Sequence, residues 1–134
     1  MLHLKIITPK KIVHEEDVSS ITVPSAEGEL TILPRHAHLF CMLKEGILTY
    51  RGEGVDDSLA IGGGYLETDG KEVRVLVSRA YGQDEIDEKL TQEAIANAEK
   101  LLAQTKDTNE RREATAVMRR ALIDMKLIKR RKRT

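Results

Sequence analysis

Gly28-Glu29-Leu30-Thr31-Ile32-Leu33-Pro34-Arg35-His36-Ala37-His38-Leu39 is the stretch from which the fold is read. It joins a turn glycine, a short apolar run, a proline stop and two histidines. This pattern predicts a short strand, a sharp corner and a loop leading into Phe40-Cys41-Met42-Leu43, which is apolar and expected to be buried. It has the shape of a recognition edge and of no simple catalytic motif.

On the N-terminal side, Leu2, Leu4 and Ile6 alternate with His3, Lys5 and Ile7, predicting a strand closed by Pro9-Lys10-Lys11. Ile12 and Val13 open a second strand, which the polar run His14-Glu15-Glu16-Asp17 is expected to interrupt before Val18, Ile21 and Val23 resume it. Pro24 should end that run, and Ser25 to Gly28 should turn. On the C-terminal side, Lys44-Glu45-Gly46 turns the chain into Ile47, Leu48 and Tyr50. Gly52, Gly54, Asp56 and Asp57 read as a hairpin tip. Ser58 to Ile61 continues through Gly62-Gly63-Gly64 into Tyr65-Leu66-Glu67. Thr68-Asp69-Gly70 is a hairpin turn, and Val73, Val75 and Val77 mark a final strand. Short strands at this spacing predict a β-sandwich or barrel.

After Gly82 the apolar period lengthens. Leu90, Ala94, Ala98, Leu101 and Leu102 recur at helical spacing, with Asp84 or Asp87 as the cap. Lys106-Asp107-Thr108-Asn109 breaks the pattern. Asp107 or Thr108 caps a second helix, with Glu110 placed for a capping box and a stripe of Ala114, Val117, Met118, Ala121, Leu122, Met125 and Ile128. The fold class is thus α+β: a sandwich followed by an antiparallel two-helix hairpin. The hairpin's seam is rich in alanine and buries little area, at roughly 25 cal/mol per Å². It must dock on the sandwich, on a partner, or on each in turn, which is the raw material of a switch.

The 134 residues carry no net charge, yet residues 109–134 hold ten Lys/Arg against three Asp/Glu, leaving an acidic body and a basic tail. The tail runs through Lys126, Lys129, Arg130, Arg131, Lys132 and Arg133. Such asymmetry points to an acidic partner for the basic end. Aromatic residues make up 3% of the chain, so base stacking on aromatic faces is not expected. A single cysteine, Cys41, excludes an internal disulfide, and no stretch is long and apolar enough to span a bilayer. His36 and His38 with Cys41 lack the second ligand pair of a zinc site, so no metal is expected. Gly62-Gly63-Gly64 lacks the Lys-Ser/Thr and helix start of a phosphate loop and reads as a close backbone approach. Nothing resembles a Ser/His/Asp arrangement, and no catalytic residue or cofactor is expected.

In order and almost without gaps, the chain resembles the epsilon subunit of F-type ATP synthases. The matching pieces are Thr8-Pro9, Asp17-Val18, Val23-Pro24, Gly28-Glu29-Leu30, Ile32-Leu33-Pro34, His36-Ala37 and Leu39. Gly46-Ile47-Leu48, Gly62 to Gly64, Leu66-Glu67, Val73 to Leu76 and Ile86-Asp87 follow. The resemblance implies a ten-stranded sandwich over residues 1–83 and a regulatory hairpin with a basic tail over residues 84–134. It implies a non-catalytic rotor subunit of a proton- or sodium-translocating enzyme, bound to the gamma subunit and the membrane c-ring. The hairpin would reach the alpha/beta catalytic head to inhibit ATP hydrolysis. The place implied is peripheral, on the cytoplasmic face of a bacterial inner membrane or the stromal face of a thylakoid, with no direct membrane insertion and no nucleic acid. The alternative is a stand-alone β-sandwich binding module with a basic helical tail for nucleic acid or an anionic surface.

The resemblance assigns Glu29 to the ring side, His36 to the stalk contact and Leu39 beside them. Thr31, Arg35 and His38 depart from the family's usual glycine, glycine or asparagine, and proline. Some members bind ATP through Ile/Leu-Asp-x-x-Arg-Ala. Here Ile86, Asp87 and Arg120 remain, but Leu90 and Thr91 replace Arg-Ala, and Asp124 stands where a second basic residue is usual. Weak or absent ATP binding is the expectation. Arg111, Arg112, Arg119 and Arg120 are expected to form the basic face that meets the catalytic head.

Overall fold

The computed structural model describes residues 1–53 and 55–130, with Val55 through its backbone only. Gly54 of the expected hairpin tip, and Arg131, Lys132 and Arg133 of the basic tail, lie outside the described residues. Among the described residues the strands are β1 (Leu2–Ile7), β2 (Ile12–Val18), β3 (Ser20–Ser25), β4 (Gly28–Ile32), β5 (Leu39–Leu43), β6 (Gly46–Gly52), β7 (Val55–Ile61), β8 (Gly64–Thr68), β9 (Glu72–Val77) and β10 (Ala80–Tyr81). A 3₁₀ turn at Gln83–Glu85 leads to α1 (Glu88–Gln104) and α2 (Thr108–Ile128).

The strands form one hydrogen-bonded sheet folded into two layers. β4-β3-β6-β7-β10 makes one layer and β5-β8-β9-β1-β2 the other, joined at the single pair Ser25–Leu43. Most neighbours are antiparallel; β1 and β9 run parallel. The core is aliphatic, as the composition required. Leu2, Leu4, Ile6, Leu66, Val73 and Val75 of one layer meet Ile21, Val23, Ile32, Leu48 and Ile61 of the other.

Several local expectations are corrected. His14-Glu15-Glu16-Asp17 does not interrupt β2, which pairs with β1 from Leu2–Val18 to Ile7–Ile12. β2 is an edge strand, and polar side chains on both faces keep such an edge from pairing with another molecule. Its inward His14 stacks on the Tyr50 ring at 4.9 Å. Pro24 does not end β3 either. It pairs with Glu29, and its carbonyl accepts the Lys44 N–H. Asp56 and Asp57 belong to β7, where Asp56 pairs with Arg51 at 2.9 Å and Asp57 accepts the Tyr50 hydroxyl at 3.1 Å. The strand at Val73 to Val77 is followed by β10. Leu39 to Leu43 is not buried throughout, because β5 alternates and leaves Phe40 60% and Met42 56% exposed.

Other features follow the sequence closely. Asp69 Oδ1 accepts the Lys71 and Glu72 amides in the Thr68-Asp69-Gly70 turn. Gly28 adopts φ 126° where β3 turns into β4. A Cβ on Gly64 would lie 1.9 Å from the Leu76 carbonyl, so the glycine run does mark a close backbone approach.

Asp87 caps α1 by accepting the Leu90 amide. Asp107 caps α2 by accepting the amides of Asn109 and Glu110. Glu110 does not close a capping box. The Asp107 N–H donates to the Thr105 hydroxyl, which in turn donates to the Glu110 carboxylate. The seam between the helices is alanine: Ala98, Ala114 and Ala121 are buried, whereas Leu90 and Leu122 stay more than half exposed. Leu127, which lies off the expected stripe, is 1% exposed.

Candidate partner-binding faces and the hairpin groove

The outward face of β5-β8-β9-β1-β2 is built by strand alternation. Leu66, Val75 and Ile6 point into the core, so their neighbours point out. Cross-strand register then lines up Met42, Tyr65, Leu76, Ile7 and Ile12 as one apolar row across all five strands. Phe40 extends it, its ring 5.1 Å from that of Tyr65. The next row is Phe40, Glu67, Arg74, Lys5 and Glu15, with Arg74–Glu67 at 2.9 Å and Lys5–Glu15 at 3.9 Å. At the edge, His3 Nδ1 lies 2.8 Å from Asp17 and Nε2 2.6 Å from Glu15. Hydrogen bonding to Asp17, then to Glu15, raises the His3 pKa above its ordinary value, and the bond to His3 lowers that of Glu15. An apolar row of this extent, framed by charge, is the make-up of a protein-binding face.

Glu29, His36 and Leu39 are spread over the corner between the layers. Glu29 is exposed on β4, His36 is half-buried in the loop between β4 and β5, and Leu39 opens β5 against the core. Arg35 holds this loop with φ 67°, its N–H donating to the Gly70 carbonyl. His36 Nδ1 donates to the carbonyl of Ala37 at 2.8 Å. Among the described residues no three His, Cys, Asp or Glu side chains are gathered to hold a metal ion.

The hairpin lies against β6 and β7. Beside it a groove of about 900 Å³ opens between the β1–β2 turn and the helices. Ile86, Asp87, Arg120 and Asp124 all line this groove, so the ATP-motif residues are brought together. Their contacts are internal ones. Asp87 caps α1, Asp124 accepts the Tyr81 hydroxyl at 2.5 Å, and the Arg120 guanidinium lies 5.8 Å from the centre of the Tyr81 ring. Burial, and then the bond to Asp124, raises the Tyr81 pKa.

The four arginines of α2 do not form one stripe, since at 100° per residue they span about 180° of the helix. Arg111 donates to the carbonyls of Leu102, at 2.6 Å, and Thr105, at 3.2 Å, capping α1. Arg112 is exposed, and Arg119 reaches Glu45 at 3.7 Å. Arg130 of the tail donates to the hydroxyls of Thr49 and Ser58. Sequence reading missed the outward row of Met42, Tyr65 and Leu76, because cross-strand register is invisible along one strand. It also missed Gln83, Tyr81 and Leu127, which act across separations of more than forty residues. No helix among the described residues is long and apolar enough to cross a membrane.

A two-layer sandwich with an uncovered apolar face and a weakly seamed helical hairpin defines a class of assembly subunits, built to bind neighbours on several sides. The chain belongs to the ATP synthase delta/epsilon chain family, whose beta-sandwich domain matches residues 1–83. It is 34% identical over 128 residues to the ATP synthase epsilon chain of Herpetosiphon aurantiacus, covering 96% of this chain and 94% of that one. It is 40% identical over 123 residues to that of Geobacter sp. strain M21, covering 91% and 89%. A chain in the Euglena gracilis mitochondrial ATP synthase OSCP/F1/c-ring structure superposes with TM-score 0.72 at 25% identity, over 95% of this chain and 76% of that one. A chain from the Tetrahymena thermophila mitochondrial central stalk/c-ring structure shares the fold at TM-score 0.59 and 16% identity, over 95% and 96%. Family membership displaces the alternative of a stand-alone binding module.

Proposed function

We propose that this chain is the epsilon-type, non-catalytic subunit of the rotor's central stalk in a proton- or sodium-translocating F-type ATP synthase. The observation that carries this reading is the apolar row Met42, Tyr65, Leu76, Ile7 and Ile12, left uncovered by the chain's own helices. The gamma subunit docks on that face. Glu29, His36 and Leu39, at the corner between the layers, face the c-ring and gamma side. Residues 1–83 act as the docking unit and residues 84–134 as the regulatory unit. Contact with the sandwich chiefly through α2, against β6 and β7, supports a hairpin that leaves it and reaches the alpha/beta head, where Arg111, Arg112, Arg119 and Arg120 meet acidic side chains. The chain is peripheral to the membrane, on the cytoplasmic face in a bacterium or the stromal face in a plastid.

ATP is bound weakly or not at all. Two observations support this: Arg120 lies over Tyr81, and the Asp124 carboxylate lines the groove where a triphosphate would need a cation. Calorimetry that detected micromolar ATP binding to the chain would remove this part of the reading.

The decisive experiment adds the full chain, or a version ending at Gln83, to the partner catalytic head, with binding confirmed for both. Slower hydrolysis with the full chain alone identifies the hairpin as the inhibitory arm. Equal rates would sink the inhibitory role, and failure of either version to bind gamma would sink the rotor assignment.

A further inference from the structure

The last four carbonyls of a helix have no partner within it. α2 ends without a glycine: Ile128 is followed by Lys129 and Arg130, and among the described residues the N–H groups of these two fold back, onto Met125 and Leu127. A further donor comes from far away in the chain. The Gln83 side-chain amide lies 2.9 Å from the Leu127 carbonyl, 2.8 Å from that of Ile128 and 2.7 Å from that of Arg130. Gln83 opens the 3₁₀ turn that follows β10, where the chain leaves the sandwich. One side chain therefore ties the start of the helical segment to its end.

We propose that Gln83 is the clasp of the docked hairpin, and that its donation to the carboxyl end of α2 sets how often the hairpin leaves the sandwich. This deepens the regulatory role above and rests on it only for the effect on hydrolysis. Three features single out Gln83. Of the two helices it is chiefly α2 that packs on the sandwich, against β6 and β7, so directional polar contacts weigh heavily in the docking balance. Tyr81 with Asp124, Arg130 with Thr49 and Ser58, and Arg119 with Glu45 also join α2 to the sandwich, but Arg119 is 63% exposed and 3.7 Å from its partner, and of these links only half-buried Gln83 meets the carbonyls at the helix end, beside buried Leu127. The carboxyl end of a helix carries partial negative charge, so what stands at position 83 matters by its sign. A donor holds the helix end; a carboxylate repels it.

The test is amide hydrogen exchange on the full-length chain, with β8 and β9 as internal reference. Gln83→Ala should raise exchange in the last two turns of α2 about tenfold. Gln83→Glu should raise it further, and Gln83→Lys should stay within about threefold of the parent. Exchange that is alike in the Ala, Glu and Lys variants would overturn the clasp, since a packing role carries no sign. A variant that also speeds exchange in β8 and β9 has lost the sandwich. The comparison then moves to Gln83→Lys against Gln83→Met, both long side chains, where equal rates again overturn the proposal and slower exchange with lysine upholds it. This readout needs no other subunit, so it stands or falls apart from the rotor assignment. Within the assembled enzyme, hydrolysis should be inhibited most by the Glu variant, then Ala, then the parent.

Discussion

His3 stands on the outer face of β1 with a carboxylate at each ring nitrogen, Asp17 at 2.8 Å and Glu15 at 2.6 Å. Its folded pKa lies above the ordinary 6.5, and that of Glu15 lies below the ordinary 4.5. The contribution of His3 is complete below pH 6.5 and disappears as pH rises through its folded pKa; that of Glu15 is complete above pH 4.5 and disappears as pH falls through its own. The stability gap between the parent and His3→Gln should therefore be widest between pH 4.5 and 6.5 and shrink as pH rises above 6.5 through the folded pKa of His3. Denaturant midpoints measured inside that window and across the alkaline side check this, and a gap independent of pH would refute the ion pair's role. Arg35, at φ 67°, sits in a region that suits glycine. Arg35→Gly should be neutral or stabilising by up to about 1 kcal/mol, and Arg35→Val destabilising by about 1–2 kcal/mol. Urea midpoints at constant slope measure both, and a stable valine variant would show that the loop relaxes freely.

At the scale of elements, the two helices differ from the strands in how they are held. Each strand of the sandwich shares a continuous aliphatic core, whereas α1 and α2 meet through Ala98, Ala114 and Ala121. Local caps therefore matter more to the hairpin than to the sheet. Asp107→Ala removes both acceptor contacts at the start of α2 and should lower stability of the hairpin by about 1 kcal/mol. Exchange at the amides of Asn109 and Glu110 should rise first; protection left intact there would mean that the relay through Thr105 and Glu110 suffices. Helix positions and caps were legible because 3.6-residue periodicity and a preceding aspartate are local signals. The continuity of β2 was not legible, because polar residues on both faces of an edge strand look like a loop when the neighbour is unknown.

For the whole molecule, the question is which surface remains after the hairpin has docked. The helices take β6 and β7, and the row from Met42 to Ile12 stays open. Met42→Glu should change folding stability by less than about 0.5 kcal/mol, since Met42 is 56% exposed. It should weaken gamma binding at least tenfold, about 1.4 kcal/mol, by placing a charge in a desolvated contact. Titration of gamma against both chains reads this directly, and equal affinities would move the interface elsewhere.

The sequence by itself determined the α+β class, the change from strand to helix near Gly82, the alanine seam, a cap at Asp84 or Asp87 and another at Asp107 or Thr108, and the glycines at Gly28 and Gly64. Each of these depends on chemistry within a few residues or on a periodic pattern. The tertiary structure alone decided that Met42, Tyr65 and Leu76 share a row, that Asp56 and Asp57 belong to a strand, and that Asp124 bonds to Tyr81. It alone decided, too, that Gln83 closes the end of α2. These are pairings between residues that register and docking bring together from distant parts of the chain, and no local propensity encodes which neighbour a side chain will meet.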